Sequence, residues 1–216
     1  MSPVRHGRRL LAVCTILAST IALAPVTSSA AHGSGMEHLY SPSDPYLSGR
    51  VQEVTDTSDV LLAVQWRPTV SGTVNGIRIC LDLTQQEVNS RLPLTGGLWT
   101  ASGEKLVTGA ASEGIEYAGP CFYQVSTSPI RVNAGETYVV GFWLRGGQYS
   151  YVPNGFDEER ANTGHLVAPS NADSTVGAGN GLYVYTSDFG GGAAFPTESW
   201  QNSDYLVSPA FTPDPH

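Results

Sequence analysis

Alternation of apolar and polar side chains at every second position is the feature that most constrains how this chain can fold. The segment 73–83 carries isoleucine or leucine at each odd position from 77 to 83, with Arg78 and Asp82 between them. Successive side chains of a strand point to opposite faces, so such a segment offers one apolar face to a core. Runs of this kind recur between Gly, Pro, Asn and Ser residues, which is typical of an all-β sandwich or barrel.

Nine segments fit this pattern, and helical spacing is hard to find. They are 60–66, 73–83, 97–101, 105–108, 121–125, 137–144, 148–151, 181–185 and 205–211. We predict an all-β fold, a single-domain antiparallel β-sandwich of jelly-roll or immunoglobulin-like type with about nine strands. About 175 residues from position 39 onward suffice for one domain with a full core.

The first 30 residues have the composition of a secretory signal peptide. Three arginines lie within the first nine residues, an apolar run covers 10–26, and small residues lead up to Ala30. This order predicts cleavage after Ala30, although the same run could serve as a short uncleaved anchor. The predicted organisation is a signal peptide 1–30, a flexible leader 31–38, the sandwich domain 39–213 and a tail 214–216.

Charge and hydropathy limit the partners of the exported chain. Loss of three of the 11 basic residues leaves 8 against 19 acidic ones, a net charge of −11. Nucleic acids and anionic membranes both reward clustered Lys and Arg, so we expect neither as a partner. No segment after the signal peptide is long and apolar enough to span a membrane. We therefore expect a secreted, monomeric or weakly associating protein.

The stretch "LPLTG" at 92–96 resembles a cell-wall sorting motif. Such a motif needs an apolar stretch and a basic tail directly after it, whereas here about 120 residues of strand-like sequence follow. The sequence "GLWTASGEKLV" instead predicts a hairpin with its turn at 102–104. We expect that the protein is not anchored by a sortase.

Two cysteines remain once Cys14 leaves with the signal peptide. In an exported chain, Cys80 and Cys121 are expected to form one disulfide. The alternative, a metal pair or a reactive thiol, lacks a nearby histidine or third cysteine. Strand alternation in 73–83 places Cys80 on the face away from the main core.

Aromatic residues are the strongest candidates for ligand contact. In 137–144 the even positions, from Tyr138 to Leu144, are expected to face the core, and Trp143 the opposite side. Rings on short strands and loops can stack on the face of a sugar. The alternative is that they fill the core, as large aromatic side chains usually do. The candidate ligand residues are Trp143, Arg145, Tyr149, Tyr151 and Trp200.

Metal and catalytic chemistry receive weaker support. Carboxylates at Asp157, Glu158 and Asp173 could supply oxygen ligands to calcium, but we favour a solvated acidic loop with Arg160 beside it. His165 is the only histidine well inside the domain, with Asp173 or Asp188 as its candidate orienting group, and no Gly-x-Ser-x-Gly motif occurs. We predict no catalytic residues and no cofactor, with calcium as the one possible ion.

Several stretches, in order along the chain, resemble one family. Among them are "LLAVQWRPTVSGTVNGIRI" (61–79), "GGLWTASGEKL" (96–106), "IRVNAGETYVVGFW" (130–143) and "SDYLVSPAF" (203–211). They are similar to the bacterial secreted domain of unknown function 4082. This resemblance implies an extracellular β-sandwich module and supplies no known catalytic residues. The chain departs from the family in the longer segment 84–92 and at Pro209, which predicts an edge or bulged last strand.

These observations predict a secreted, non-catalytic sandwich module that binds extracellular carbohydrate through exposed aromatic side chains. Two alternatives remain open at this point. One is a structural module that contacts a cell-surface component without a small ligand, and the other is a secreted hydrolase that uses His165.

Overall fold

The computed structural model describes residues 35–41, 43–111, 116–117, 121–162, 164–187 and 195–215. These residues form fourteen β-strands, one α-helix and one 3₁₀ turn, Pro45–Leu47. The strands are β1 Gln52–Val54, β2 Val60–Pro68, β3 Gly72–Cys80, β4 Leu94–Thr100, β5 Lys105–Ala111, β6 Glu116–Tyr117, β7 Phe122–Val132, β8 Tyr138–Leu144, β9 Tyr149–Tyr151, β10 Arg160–Ala161, β11 Leu166–Ala168, β12 Leu182–Tyr185, β13 Glu198–Ser199 and β14 Val207–Pro213; the helix is α1 Gln85–Asn89. The predicted signal peptide 1–30 lies outside the described residues, which all belong to the unit Gly33–His216.

Two antiparallel sheets form the sandwich. The larger has the order β10-β11-β2-β8-β4-β5, and the smaller has the order β14-β3-β7-β6. On the side of β2 opposite β8, strand β12 pairs with the first half of β2, and β11 pairs with the last two residues of β2. Strands β1 and β9 form a separate pair. All nine predicted segments are strands, and the additional ones have only two or three residues, too short for alternation to reveal them.

The main core lies between the two sheets and follows the predicted alternation. The even positions of β8, including Val140 and Phe142, face Ile77 and Ile79 of β3 in one buried cluster. Each such aliphatic or aromatic side chain stabilises the fold by roughly 1.5–3 kcal/mol when it is fully buried.

A second apolar cluster covers the outer face of the larger sheet. Its members are Leu61, Ala63, Trp99, Val139, Trp143, Val176 and Leu182, with Phe195 packed against them. Gly97 of β4 and Gly141 of β8 lie opposite each other, and a Cβ on Gly97 would come within 2.6 Å of the Trp99 ring. The two glycines make room for the two indoles. Strand β8 is therefore buried on both faces.

The helix α1 lies within the segment 84–92. The Thr84 hydroxyl accepts from the Glu87 N–H, and the Glu87 carboxylate accepts from the Thr84 N–H, which is a complete capping box. The sequence "TQQE" carries this signal, but five residues are too few for helical periodicity to show.

No helix among the described residues has the length and apolar character that a membrane span requires.

The sorting-like motif lies inside the sheet. Strands β4 and β5 form the predicted hairpin, with Gly103 at φ +88° in its turn. Thr95 is 3% exposed and pairs with Ala110 on one side and Trp143 on the other. In the folded protein the bond after Thr95 is covered by two neighbouring strands.

Strand β14 is the last strand of the smaller sheet and has a bulge at Ala210 and Phe211. The prediction that Pro209 marks an edge or bulged strand is confirmed. The predicted flexible leader, however, extends too far, because Glu37 pairs with Phe211 and His38 contacts the Pro209 carbonyl at 3.1 Å. Burial lowers the pKa of His38 to about 4, so this side chain is neutral at pH 7.

Cys80 and Cys121 form the predicted disulfide. Cys80 ends β3 opposite Phe122, so the bridge joins β3 to the residue that leads into β7. The expectation that Cys80 lies away from the main core is wrong, since it belongs to the main cluster and is 1% exposed. Alternation no longer determines its surroundings where the strand ends, and the segment around Leu206, whose carbonyl accepts from the Cys80 N–H, covers it.

Candidate functional site

A continuous row of aromatic rings connects β9, β12 and the segment between β13 and β14. Successive centroids lie 5.7, 6.4, 5.8, 6.4 and 5.7 Å apart. In order, the rings belong to Trp200, Tyr151, Tyr149, Tyr205, Tyr183 and Tyr185. Strand alternation explains two of these neighbouring pairs, Tyr149 with Tyr151 on β9 and Tyr183 with Tyr185 on β12, because residues two apart on a strand share a face.

Five of these rings line a cavity of about 440 Å³, which we call the aromatic cleft. Its described lining residues are Val54, Thr55, Asp56, Tyr149, Tyr183, Tyr185, Trp200 and Tyr205. Tyr149 and Tyr205 are mostly buried and form the base. Tyr185 and Trp200 are 53% and 42% exposed, and they are two of the three large exposed apolar side chains among the described residues. The cleft therefore presents apolar ring surface to solvent.

Asp56 supplies a fixed carboxylate to the cleft. One oxygen accepts from the backbone N–H groups of Thr57 and Ser58 at 2.6 and 3.0 Å. The other accepts from the Tyr185 hydroxyl at 2.7 Å. These hydrogen bonds, the one from Tyr185 first, hold the pKa of Asp56 below its ordinary value of 3.8. Asp56 is therefore ionised at neutral pH.

The tyrosines of the cleft are neutral phenols at any physiological pH. The hydrogen bond to Asp56 and partial burial raise the pKa of Tyr185 to about 12. Burial, with the nearby Asp56 charge, raises the pKa of Tyr149 to about 12 as well. Burial raises the pKa of Tyr205 above its usual value too. Among the cleft's described lining residues, the one negative charge at pH 7 is that of Asp56.

A buried carboxylate, Asp204, anchors the segment that carries Trp200 and Tyr205. Its side chain accepts from the Tyr40 hydroxyl at 2.7 Å, the Tyr46 hydroxyl at 3.0 Å and the Leu206 N–H at 2.8 Å. Desolvation nevertheless raises its pKa above the ordinary value of 3.8. The Tyr46 hydroxyl also lies 3.2 Å from the Gly155 carbonyl, so it can accept from a protonated Asp204 while it donates to Gly155.

Replacing Asp204 with Ala should lower the free energy of unfolding by about 2 kcal/mol, because the Tyr40 hydroxyl and the Leu206 N–H would lose their acceptor in a buried place. Asp204→Asn should cost less, since an amide can reproduce the bonds of the neutral carboxyl group. Urea denaturation of both variants measures the difference. Equal losses for Ala and Asn would show that packing, not hydrogen bonding, is what Asp204 provides.

The stability difference between the native protein and Asp204→Asn should also depend on pH. Because the pKa of Asp204 is higher in the folded state, the native protein binds more protons than the unfolded chain between about 3.8 and that raised value. Asp204's contribution to stability is therefore greatest at low pH and declines as the pH rises through this window. Denaturation curves from pH 3 to pH 7 should show the difference moving in favour of the variant. A constant difference would contradict this expectation.

The chain matches one known family of protein domains. The sequence model of the family described as Domain of unknown function (DUF4082) matches residues 47–207. The chain belongs to the DUF4082 family. The matched range contains every described residue that lines the aromatic cleft. A search of curated proteins found no match.

The structure brings together some of the predicted ligand residues of this DUF4082 protein and separates others. Tyr149 and Trp200 line the cleft. The Tyr151 ring lies outside the described lining, with its centroid 5.7 Å from that of Trp200. Trp143 cannot belong to an exposed platform, since it is 1% exposed within the second apolar cluster. Arg145 is exposed after β8 but does not line the cleft.

Sequence reasoning assigned no site role to Asp56 or Tyr205, and placed Tyr205 within a strand. Tyr183 and Tyr185, in the predicted strand 181–185, were among the rings on short strands and loops expected to stack on a sugar. For Asp56 a signal was present, because "DTS" at 56–58 is typical of a turn in which the Asp side chain caps the backbone. For the tyrosines the alternation gave a shared face, but no local pattern shows that β9, β12 and the start of β14 meet. That meeting depends on contacts between distant segments.

The calcium candidates of the DUF4082 domain do not meet at one place. Asp157 and Glu158 line a second cavity of about 500 Å³, where Asp157 accepts from the Asn202 amide at 2.7 Å. Asp173 lies in another loop and accepts from the Ser170 hydroxyl at 2.6 Å. Within the described ranges no group of three His, Cys, Asp or Glu side chains is arranged to hold a metal ion.

His165 contacts a different carboxylate from the two considered as orienting groups. Its Nδ1 lies 2.8 Å from Oε1 of Glu37, and its backbone N–H donates to the other oxygen of Glu37. Asp173 is engaged with Ser170, and Asp188 lies outside the described residues. The pair of His165 and Glu37 fastens the N-terminal segment to the loop before β11 and does not line the aromatic cleft.

Proposed function

We propose that this DUF4082 protein is a secreted, non-catalytic module that binds an extracellular carbohydrate in the aromatic cleft. The observation that carries the proposal is the row of rings around an open cavity of about 440 Å³. The C–H face of a sugar ring is apolar and its edge carries hydroxyl groups. A neutral aromatic ring with a polar tip complements both, because its face accepts the C–H groups and its hydroxyl accepts hydrogen bonds.

The dimensions and composition of the cleft support a small ligand or the end of a polymer. Its volume lies within the range of roughly 300–1,000 Å³ found for ligand sites, which combine mainly apolar walls with a few fixed polar groups. Here the fixed polar group is Asp56, whose carboxylate accepts from the Tyr185 hydroxyl. Tyr185 and Trp200 stand at the exposed part of the cleft, where a polymer could pass.

Trp200→Ala and Tyr185→Ala should each weaken binding of the carbohydrate about tenfold, which corresponds to about 1.4 kcal/mol. Both side chains are already exposed, so the fold should be retained. A glycan array identifies the carbohydrate, and calorimetry then measures its affinity for each variant. Met36→Ala removes a comparable exposed apolar side chain away from the cleft and should leave the affinity unchanged.

Two outcomes would overturn this proposal. If none of a broad set of polysaccharides binds to the protein, the result would favour a structural or surface-interaction module. Turnover of a model ester, peptide or glycoside that disappears in His165→Ala or Asp157→Ala would favour a hydrolase. Against the hydrolase stands the position of His165, whose ring is held by Glu37 away from the cleft.

Secretion as a free protein is part of the same proposal. The Cys80–Cys121 disulfide supports secretion, because disulfides form and persist mainly in oxidising compartments. The covered position of Thr95 within β4 supports the expectation that a sortase does not use the "LPLTG" stretch. Mass spectrometry of the mature protein from culture fluid should find an N-terminus close to residue 31. A protein retained on the wall, with its chain ending at Thr95, would contradict this expectation.

A further inference from the structure

We infer that the sugar bound in the aromatic cleft carries a free ammonium group, as in a deacetylated hexosamine polymer, and is not a neutral glycan. The inference rests on the proposed function, since it names the class of carbohydrate that the same cleft takes. It is carried by the combination of a fixed carboxylate with five electron-rich rings in one cavity.

The carboxylate of Asp56 is placed before any ligand arrives. Two backbone N–H groups hold one oxygen, and the Tyr185 hydroxyl holds the other. A carboxylate oxygen has two lone pairs, so the oxygen held by Tyr185 can accept one further N–H donor from a ligand. Because the side chain is already immobilised, binding an ammonium group there loses little side-chain entropy.

The rings around Asp56 favour a cation as well. Aromatic rings carry negative charge on their faces, and Trp and Tyr attract an ammonium group placed within about 6 Å of the ring centre. Tyr149, Tyr183, Tyr185, Tyr205 and Trp200 all line the same cavity as Asp56. A neutral sugar would gain stacking contacts and hydrogen bonds, whereas an ammonium-bearing sugar would gain cation–π attraction and an ion pair in addition.

No positively charged side chain occurs among the described residues that line the cleft. Glu198, which pairs with Tyr183 between β13 and β12, is an exposed carboxylate outside the described lining. An anionic sugar would therefore meet Asp56 with no cation in the described lining to balance it. The charge of the cleft thus selects against uronic acids and favours amino sugars.

Paired oligosaccharides of equal length test this inference. Calorimetry would compare a glucosamine tetramer with an N-acetylglucosamine tetramer, which differ in charge but share the same ring and linkage. We expect the glucosamine tetramer to bind about tenfold more tightly at low salt. Asp56→Asn should abolish this preference, whereas the acetylated tetramer should still bind, because the rings remain.

Two matched variants separate a local effect from the general attraction of an acidic protein. Glu104→Gln removes one exposed negative charge from the β4–β5 turn, outside the cleft, and should keep the full preference. Tyr185→Phe keeps the ring but loses the hydrogen bond that holds one oxygen of Asp56, so it should reduce the preference, though by less than Asp56→Asn does. If Glu104→Gln reduced the preference as much as Asp56→Asn, unspecific charge attraction would explain the binding and the inference would fail.

The failure of this inference and the failure of the proposed function give different results. Equal affinities for the two tetramers, both weakened by Trp200→Ala, would overturn the ammonium preference but keep the carbohydrate site. Affinities that Trp200→Ala leaves unchanged would overturn the site itself. A circular dichroism spectrum identical to that of the native protein confirms that Asp56→Asn is folded.

Discussion

Trp143→Ala should lower the free energy of unfolding by about 4 kcal/mol, within the range measured for removing a large aromatic side chain from a core. The indole of Trp143 is 1% exposed and lies 5.4 Å from that of Trp99. Gly97 and Gly141, which make room for these rings, cannot move in to fill the cavity that Ala would leave. Small residues on a rigid sheet collapse poorly, so most of the cavity should persist.

Denaturation by urea measures this loss, and Trp143→Phe is the matched control. The Phe variant keeps an aromatic ring and removes an indole N–H that is buried without an acceptor among the described residues. Its cost should therefore stay below about 1.5 kcal/mol. A Trp143→Ala protein of native stability that had lost carbohydrate binding would instead place this ring at the binding surface.

Removing the disulfide should have an effect of similar size. The double variant Cys80→Ser with Cys121→Ser should lose about 4 kcal/mol of unfolding free energy, because the bridge closes a loop with a sequence separation of 41. The stabilisation acts mainly on the unfolded chain, whose freedom the bridge restricts. The paired strands β3 and β7 should keep their register in the variant, since eight residue pairs of their ladder hold it without the bridge.

Denaturation curves with and without a reducing agent measure this effect. The native protein should lose stability on reduction until it matches the double variant, and the variant itself should not respond. Because the serine hydroxyls replace buried sulfur atoms, a small extra cost in the variant is expected. An unchanged stability after complete reduction would show that the loop is already restricted in the unfolded state.

Strand periodicity predicted most of the fold. It placed nine of the strands, including every one of four residues or more, assigned the even positions of β8 to the main core, and identified β14 as an edge or bulged strand from Pro209. These features depend on local chemistry, because alternation, turn residues and a missing backbone donor act on the chain where they occur. The short helix α1 and the two-residue strands fell below the length at which periodicity becomes visible.

The candidate site could be predicted only in part. Alternation correctly grouped Tyr149 with Tyr151, which share a face of β9, but it also proposed Trp143, which lies in the second cluster. Alternation shows that Trp143 lies on the face of β8 opposite Phe142, but it does not show whether another segment covers that face. Val176 and Phe195, from segments distant in sequence, belong to the cluster that covers it.

By itself the sequence determined that the chain forms an antiparallel sandwich, that Cys80 and Cys121 join, and which residues of each strand share a face. Those properties follow from side-chain type and spacing along a short stretch. Only the tertiary structure decided that the outer face of β8 is buried, and that Asp56 meets the rings of β9, β12 and the segment before β14. The physical reason is that exposure and neighbourhood depend on how distant segments pack, and no local pattern of residues records that packing.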